Sequence, residues 1–308
     1  MNLHLSSAPH IHTRASTRVL MLNVVIALLP CAAAGIWYFG LDAALVLLVC
    51  MATSVLSELV WQKLAKKPVR VGDLSALVTG LILGLNLPST APLWMAAIGS
   101  VIAVMLVKQL FGGIGDNFMN PALTARAILL ASWPVYMTTF VSPTGFSGVD
   151  AVTAATPLKT GMASMSDLFM GNIPGCIGEV SKLMILIGLA YLLITKTVSW
   201  RIPVVMVASA ALFSWILGKD VAYAVLSGGL LFGAVFMATD YVTCPMTGIG
   251  QIIFAFGAGM LVALIRSAGM YPEGVTFAIL IMNIVTPLID KYVKPRVYGH
   301  GKEAKANG

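Results

Sequence analysis

The chain is 308 residues long, 58% hydrophobic and only 10% charged, with a mean hydropathy of +0.92. Nineteen Lys and Arg against twelve Asp and Glu give a net charge of +7. That is too little charge to coat a soluble globule, where about 25% of residues are charged. A soluble domain, a nucleic-acid-binding protein and a disordered chain all fit poorly, which leaves a polytopic membrane protein.

Residues 1–17 are polar and carry His4, His10 and His12; with His300 in the tail, these are expected to be solvated. Ala32-Ala33-Ala34 has the small residues of a signal cleavage site, but the apolar run continues through Ile36 to Phe39. A retained first span is the better reading. Ten apolar segments follow: 19–39, 42–61, 74–87, 93–110, 121–138, 177–195, 202–217, 222–238, 250–267 and 275–290. The third and eighth are short and run into Pro- and Thr-rich breaks. Interrupted helices at matching places in two halves point to an internal repeat with a functional centre. Gly80 and Pro92 find counterparts at Gly233 and Pro245, both at an offset of 153. Lys108 and Arg266 fall at equivalent helix ends, where snorkelling is expected.

With the N-terminus inside, fifteen of the nineteen Lys and Arg fall on the cytoplasmic side. Lys159, Lys182, Lys219 and Arg266 fall outside, and Lys108 and Arg126 count as cytoplasmic. The expected fold is an all-α membrane protein of about ten transmembrane helices in two inverted repeats, N-in and C-in. Its parts are a cytoplasmic segment 1–17, a repeat 18–138, an extracytoplasmic loop 139–176, a repeat 177–290 and a cytoplasmic tail 291–308.

The long loop contains Asp150-Ala151-Val152-Thr153-Ala154-Ala155-Thr156-Pro157-Leu158. From the residues alone it reads as an Asx-turn or a helix cap. Phe111-Gly112-Gly113-Ile114-Gly115 is a weak phosphate cradle, without Gly-Lys-Ser/Thr, and a better tight turn, with Pro121 opening the next helix. Asn117 and Asn120, three apart, are placed to face one pocket. Glu58, Asp240 and Asp290 sit near span ends on one side. Each either caps or pairs locally, Glu58 with Lys63 and Asp290 with Lys294, or they gather ions together. Glu179 and Glu273 are expected outside. The four cysteines (Cys31, Cys50, Cys176, Cys244) lack metal-ligand spacing and are expected to pack as small apolar groups.

The loop motif Asp-x-x-Thr-x-Ala-Thr-Pro-Leu resembles the flavinylation motif of the RnfD family, the D subunits of Rnf complexes and the related B subunits of sodium-pumping NADH:quinone reductases. Lys108 to Gly115, Asn117 to Leu123, Gly175 to Glu179 and Met237 to Asp240 are similar to the same family, and the likeness runs over about residues 6–296. Ala154 stands where some relatives have Gly, and Tyr241 where Pro is common.

The resemblance implies FMN linked through a phosphodiester to Thr156, with Asp150 and Thr153 part of the motif read by a flavin transferase. It implies a non-covalent riboflavin near Asn117 and Asn120, and an ion path using Glu58, Asp240 and Asp290. The expected setting is the prokaryotic cytoplasmic membrane, with the FMN loop extracytoplasmic. The expected function is electron transfer within an ion-translocating ferredoxin:NAD+ oxidoreductase. Partners would be a flavin-bearing G subunit, membrane A and E subunits and soluble B and C subunits, since this chain alone holds no complete active site. A solute channel or secondary transporter without a redox role is the competing class.

Overall fold

The computed structural model describes residues 16–143, 153–154, 164–269 and 274–294. It is mostly helical, and a helix underlies each of the ten apolar segments. The first two segments share α1 (Thr17–Leu64), which Gly40 interrupts with φ 70° and ψ −149°. Unbroken, 48 residues would reach about 72 Å, more than twice a bilayer's apolar thickness. Glycine at Gly40 permits the break, because a side chain would be strained at that φ. The two parts then pack on different partners. Asn23, in the first, donates to Thr197 Oγ1 and accepts from the Tyr191 hydroxyl. The second lies on α2 (Ser75–Leu85) so closely that a Cβ on Gly80 would sit 2.6 Å from the Cys50 carbonyl oxygen. Small residues allow such approach where helices meet in a membrane.

After the break at 86–92 come α3 (Leu93–Val101) and a π-helix (Ile102–Gln109) continuous with it. α4 (Pro121–Ser132) starts on Asn120, whose Oδ1 accepts from the Ala122 and Leu123 amides, with Pro121 at the first turn. These are favoured cap and first-turn residues. α5 (Pro134–Thr138) leads to β1 (Phe140–Val141), which pairs antiparallel with β2 (Thr153–Ala154), Phe140 opposite Ala154.

The second half contains α6 (Met165–Met170), α7 (Lys182–Ile194), α8 (Arg201–Ile216), α9 (Val221–Leu226) and α10 (Leu230–Phe232). A π-helix (Gly233–Met237), α11 (Gly248–Ser267) and α12 (Val275–Tyr292) complete it. A matching tie recurs in both halves. Lys108, ending the helical run after Pro92, bonds Ser75 at the start of α2; Arg266, ending the helix after Pro245, bonds the Ser227 carbonyl just before α10.

α1, α11 and α12 are long and apolar enough to cross a membrane. The outside is itself apolar, with Trp37, Leu48, Trp215 and Ile249 exposed. Surfaces this apolar are foreign to soluble monomers and natural against lipid. The chain is a multi-pass membrane protein.

Candidate functional site

The polar residues of the interior fall into three groups. The first surrounds a cleft lined by Ser75, Thr79, Asn117, Asn120, Thr239 and Asp240, with apolar walls that include Val78, Ile82 and Phe236. It brings together the α4 start, the α2 start and the break after the second π-helix. Asn117 donates to the Met119 carbonyl at 3.1 Å, and Asn120 donates to the Met237 carbonyl at 3.3 Å. With its oxygen capping α4, Asn120 has both ends of its amide committed to the protein. It shapes the cleft wall and ties the two halves together across 117 residues. Asp240 Oδ2 accepts from Thr243 Oγ1 at 3.2 Å. Burial pushes the Asp240 carboxyl up from its ordinary value, against the Val242 amide and Thr243 hydroxyl that favour the anion. The Tyr241 hydroxyl, pushed by burial to about 12, keeps its proton and donates to the Thr197 carbonyl. That bond ties the loop to the Thr197 backbone.

The second group is a buried ion pair. Glu58 and Lys108 are 1% and 3% exposed, with Lys108 Nζ 2.9 Å from Glu58 Oε1. Gln109 Nε2 donates to the same oxygen at 2.5 Å, and Lys108 also donates to Ser75 Oγ. Ser75 in turn donates to Asp73 Oδ1 at 2.6 Å. Glu58 Oε2 is buried and has no hydrogen-bond partner among the described residues. The consecutive residues Lys108 and Gln109 reach one carboxylate from the end of a π-helix, a rare winding often found at functional sites. The glycine turn follows directly, with the Gly113 amide donating to the Lys108 carbonyl and the Gly112 amide to Gln109. A polar cavity lies beyond, lined by Glu58, Gln62, Arg70, Asp73, Gln109 and Asp116 among others.

These contacts correct several expectations. Lys108 does not snorkel; it is an internal counter-ion. Glu58 pairs with it, 50 residues away, rather than with Lys63. Among the described residues Lys108–Glu58 is the one ion pair, so Asp290 does not bridge to Lys294; its Oδ1 accepts from the Met246 amide at 3.3 Å. Glu58 lines the polar cavity and Asp240 the cleft, and Asp240 and Asp290 both lie within electrostatic reach of the Cys244 thiol.

The third group is a chain of buried and half-buried charges missed by reading cations only as flanking residues. Arg126 is 4% exposed and donates to Asn86 Oδ1, Thr276 Oγ1 and Cys176 Sγ. The Cys176 amide donates to Glu179 Oε1 at 3.1 Å. Lys182, fully buried, donates to the Glu179 and Gly228 carbonyls. Arg266 donates to the Ala224 and Ser227 carbonyls. Glu179 is therefore a buried acid in the turn before α7, and Lys108, Arg126, Lys182 and Arg266, held by protein partners, carry no information on orientation. The available signal was their position within or beside apolar segments, where an ionisable residue marks a polar interior.

Of the residues expected to form a flavinylation motif, Asp150 and Thr156 lie outside the described residues, as does Glu273. Thr153 lies in β2, so the motif enters a ladder two residues before Thr156. Among the described residues no three His, Cys, Asp or Glu side chains converge on a metal position.

The model of the NQR2, RnfD, RnfE family matches residues 4–299. The chain is 49% identical to the D subunit of the Na(+)-translocating ferredoxin:NAD(+) oxidoreductase complex of Acetobacterium woodii, over 99% of both chains. It is 43% identical to the proton-translocating counterpart of Clostridium ljungdahlii, over 96% of both. It is 36% identical to the D subunit of the ion-translocating oxidoreductase complex of Escherichia coli, over 98% of this chain and 100% of the other. With a match that spans nearly every described element, this chain belongs to the NQR2, RnfD, RnfE family.

Proposed function

We propose that this chain is the membrane D subunit of an Rnf-type ion-translocating ferredoxin:NAD+ oxidoreductase and carries FMN on Thr156. The end-to-end likeness to proteins named as D subunits of such complexes, at 49% identity, carries the reading. The loop sequence supports the cofactor. A phosphodiester needs a hydroxyl acceptor, Thr156 supplies one, and Ala154 and Ala155 leave room beside it. β2 anchors the strand that leads to it.

We place a second flavin, a riboflavin, at this cleft. Its apolar walls suit a flat ring, and Asn117, Ser75 and Thr79 place polar groups at its edge. Asn120 and Thr239 build the wall that would hold it. A bound flavin supplies the redox chemistry; this chain supplies position, water exclusion and the local field. The G, A, E, B and C subunits would bring electrons to and from it, after a flavin transferase has loaded Thr156. Glu58, and Asp240 at the cleft, are the acids placed to guide the coupled ion, with Asp290 at the neighbouring loop.

Orientation follows from the remaining charges. With the four internally held cations set aside, thirteen Lys and Arg fall on the side of Met1 and two on the other. The reading is N-in and C-in in a prokaryotic inner membrane, ten spans in two inverted repeats, with Thr156 outside.

Co-expression with a flavin transferase, followed by a denaturing gel, tests the cofactor. A fluorescent band in wild type that is lost in Thr156→Val is expected. A band that persists in the variant, or none in wild type with active transferase, overturns it and favours a transporter without a redox role.

A further inference from the structure

The Glu58–Lys108 pair stands between two cavities. Glu58 and Gln109 line the polar one, Lys108 lines the cleft, and Ser75, which holds the Lys108 ammonium, lines the cleft as well. We propose that Lys108 is a tethered counter-ion that keeps a Glu58 cation site closed, and that a sodium-sized monovalent metal cation entering from the polar cavity takes its place. The inference rests on the ion-translocating reading above and adds the device that controls the site.

Three observations carry it. Glu58 Oε2 is buried without a partner among the described residues, although burying a bare carboxylate oxygen is expensive. The residue lines a cavity whose other walls offer hard oxygen donors, among them the Asp73 and Asp116 carboxylates. The charges around that cavity balance: Glu58, Asp73 and Asp116 against Lys67, Arg70 and Lys108. A site that is neutral only with the ammonium in place accepts one positive charge when the ammonium leaves. That selects a monovalent ion over a divalent one, and oxygen ligands select a hard ion.

Lys108 has somewhere to go. Its ammonium already donates to Ser75 Oγ, at the cleft edge, as well as to Glu58 Oε1. A cation on Oε2 weakens the hold of the carboxylate, and the ammonium then turns its charge to the cleft. Linkage makes the effect reciprocal: negative charge arriving in the cleft draws Lys108 away and raises cation affinity at Glu58.

The test uses the full chain in nanodiscs, with melting followed by tryptophan fluorescence in sodium chloride against choline chloride at fixed ionic strength. Sodium should raise the wild-type melting temperature. A tethered competitor acts at an effective concentration in the millimolar range or above, so Lys108→Met should lower the half-effect sodium concentration about tenfold. Lys108→Arg, whose fork covers both carboxylate oxygens, should raise it about tenfold or abolish the response. Glu58→Gln should abolish the response.

Equal half-effects in wild type and Lys108→Arg, a response kept in Glu58→Gln, or none in wild type would overturn the proposal. Where Lys108→Met does not fold, Lys108→Arg and Glu58→Gln carry the test. The measurement needs no flavin. A fluorescent Thr156 band with no sodium response defeats the gate and leaves the Rnf reading standing. A sodium response without a band does the reverse.

Discussion

Breaking the Glu58–Lys108 pair from either side should destabilise the fold far more than removing both partners. Lys108→Met leaves a carboxylate, 1% exposed, with the Gln109 amide as its one remaining donor among the described residues. Glu58→Gln leaves a buried ammonium on Ser75. Orphaning one member of a buried pair costs about 3–5 kcal/mol, whereas replacing both with neutral groups is near neutral. The double variant Glu58→Gln/Lys108→Met should therefore lie within about 1 kcal/mol of wild type, a coupling of roughly 5–9 kcal/mol between the sites. At about 2–4 °C per kcal/mol, each single variant should melt about 6–20 °C below wild type and the double within about 4 °C. Thermal melts of the four proteins in one detergent measure the cycle. Additive losses, with the double as damaged as the two singles together, would refute the coupling. A Lys108→Met protein as stable as wild type would refute the pair itself.

Other outcomes follow from the same geometry. Asn120→Ala removes the α4 cap and the bond to the Met237 carbonyl, and should cost about 2 kcal/mol in a chemical melt, while Asn120→Ser keeps the cap and should recover about half. Arg126→Lys keeps the charge but cannot serve Asn86, Thr276 and Cys176 together; a loss of about 2–3 kcal/mol is expected, read as a melting shift. Asp240 titrates above its ordinary value in the fold. Its stabilising contribution is then complete below the unfolded carboxylate value of about 3.9 and is lost as pH rises through the raised native value. Asp240→Asn should flatten that part of the stability–pH curve, and an unchanged curve would locate the dependence elsewhere.

The helices were legible because each is an apolar run with ordinary punctuation. Asn120-Pro121 announced the start of α4, and the glycines after Gln109 announced a turn. The winding of residues 102–109 was not legible, since nothing in the local pattern separates a π-helix from an α-helix. Pairings were misread for a related reason. Glu58 with Lys63, and Asp290 with Lys294, are what local helix geometry offers. In the fold, the π-helix delivers Lys108 and Gln109 to Glu58 first, and the Met246 loop reaches Asp290. The cations were misplaced because a positive residue at the end of an apolar segment looks the same whether it flanks the bilayer or turns inward. Only packing distinguishes the two, and packing turned Lys108, Arg126, Lys182 and Arg266 inward. The cleft is assembled from five separate stretches, so its existence could be guessed from Asn117 and Asn120, but not the presence of Asp240 in the same wall.

Arg126 has a consequence for how the protein is made. Its bond to Thr276 spans 150 residues and its bond to Cys176 spans 50. At about 5–20 residues per second, roughly 8–30 s pass between synthesis of the arginine and of its last partner. During that interval a guanidinium sits in an apolar helix without its full set of acceptors. The nascent first half is thus an incomplete solvent for its own charge, and it depends on the second half to finish the insertion that it began.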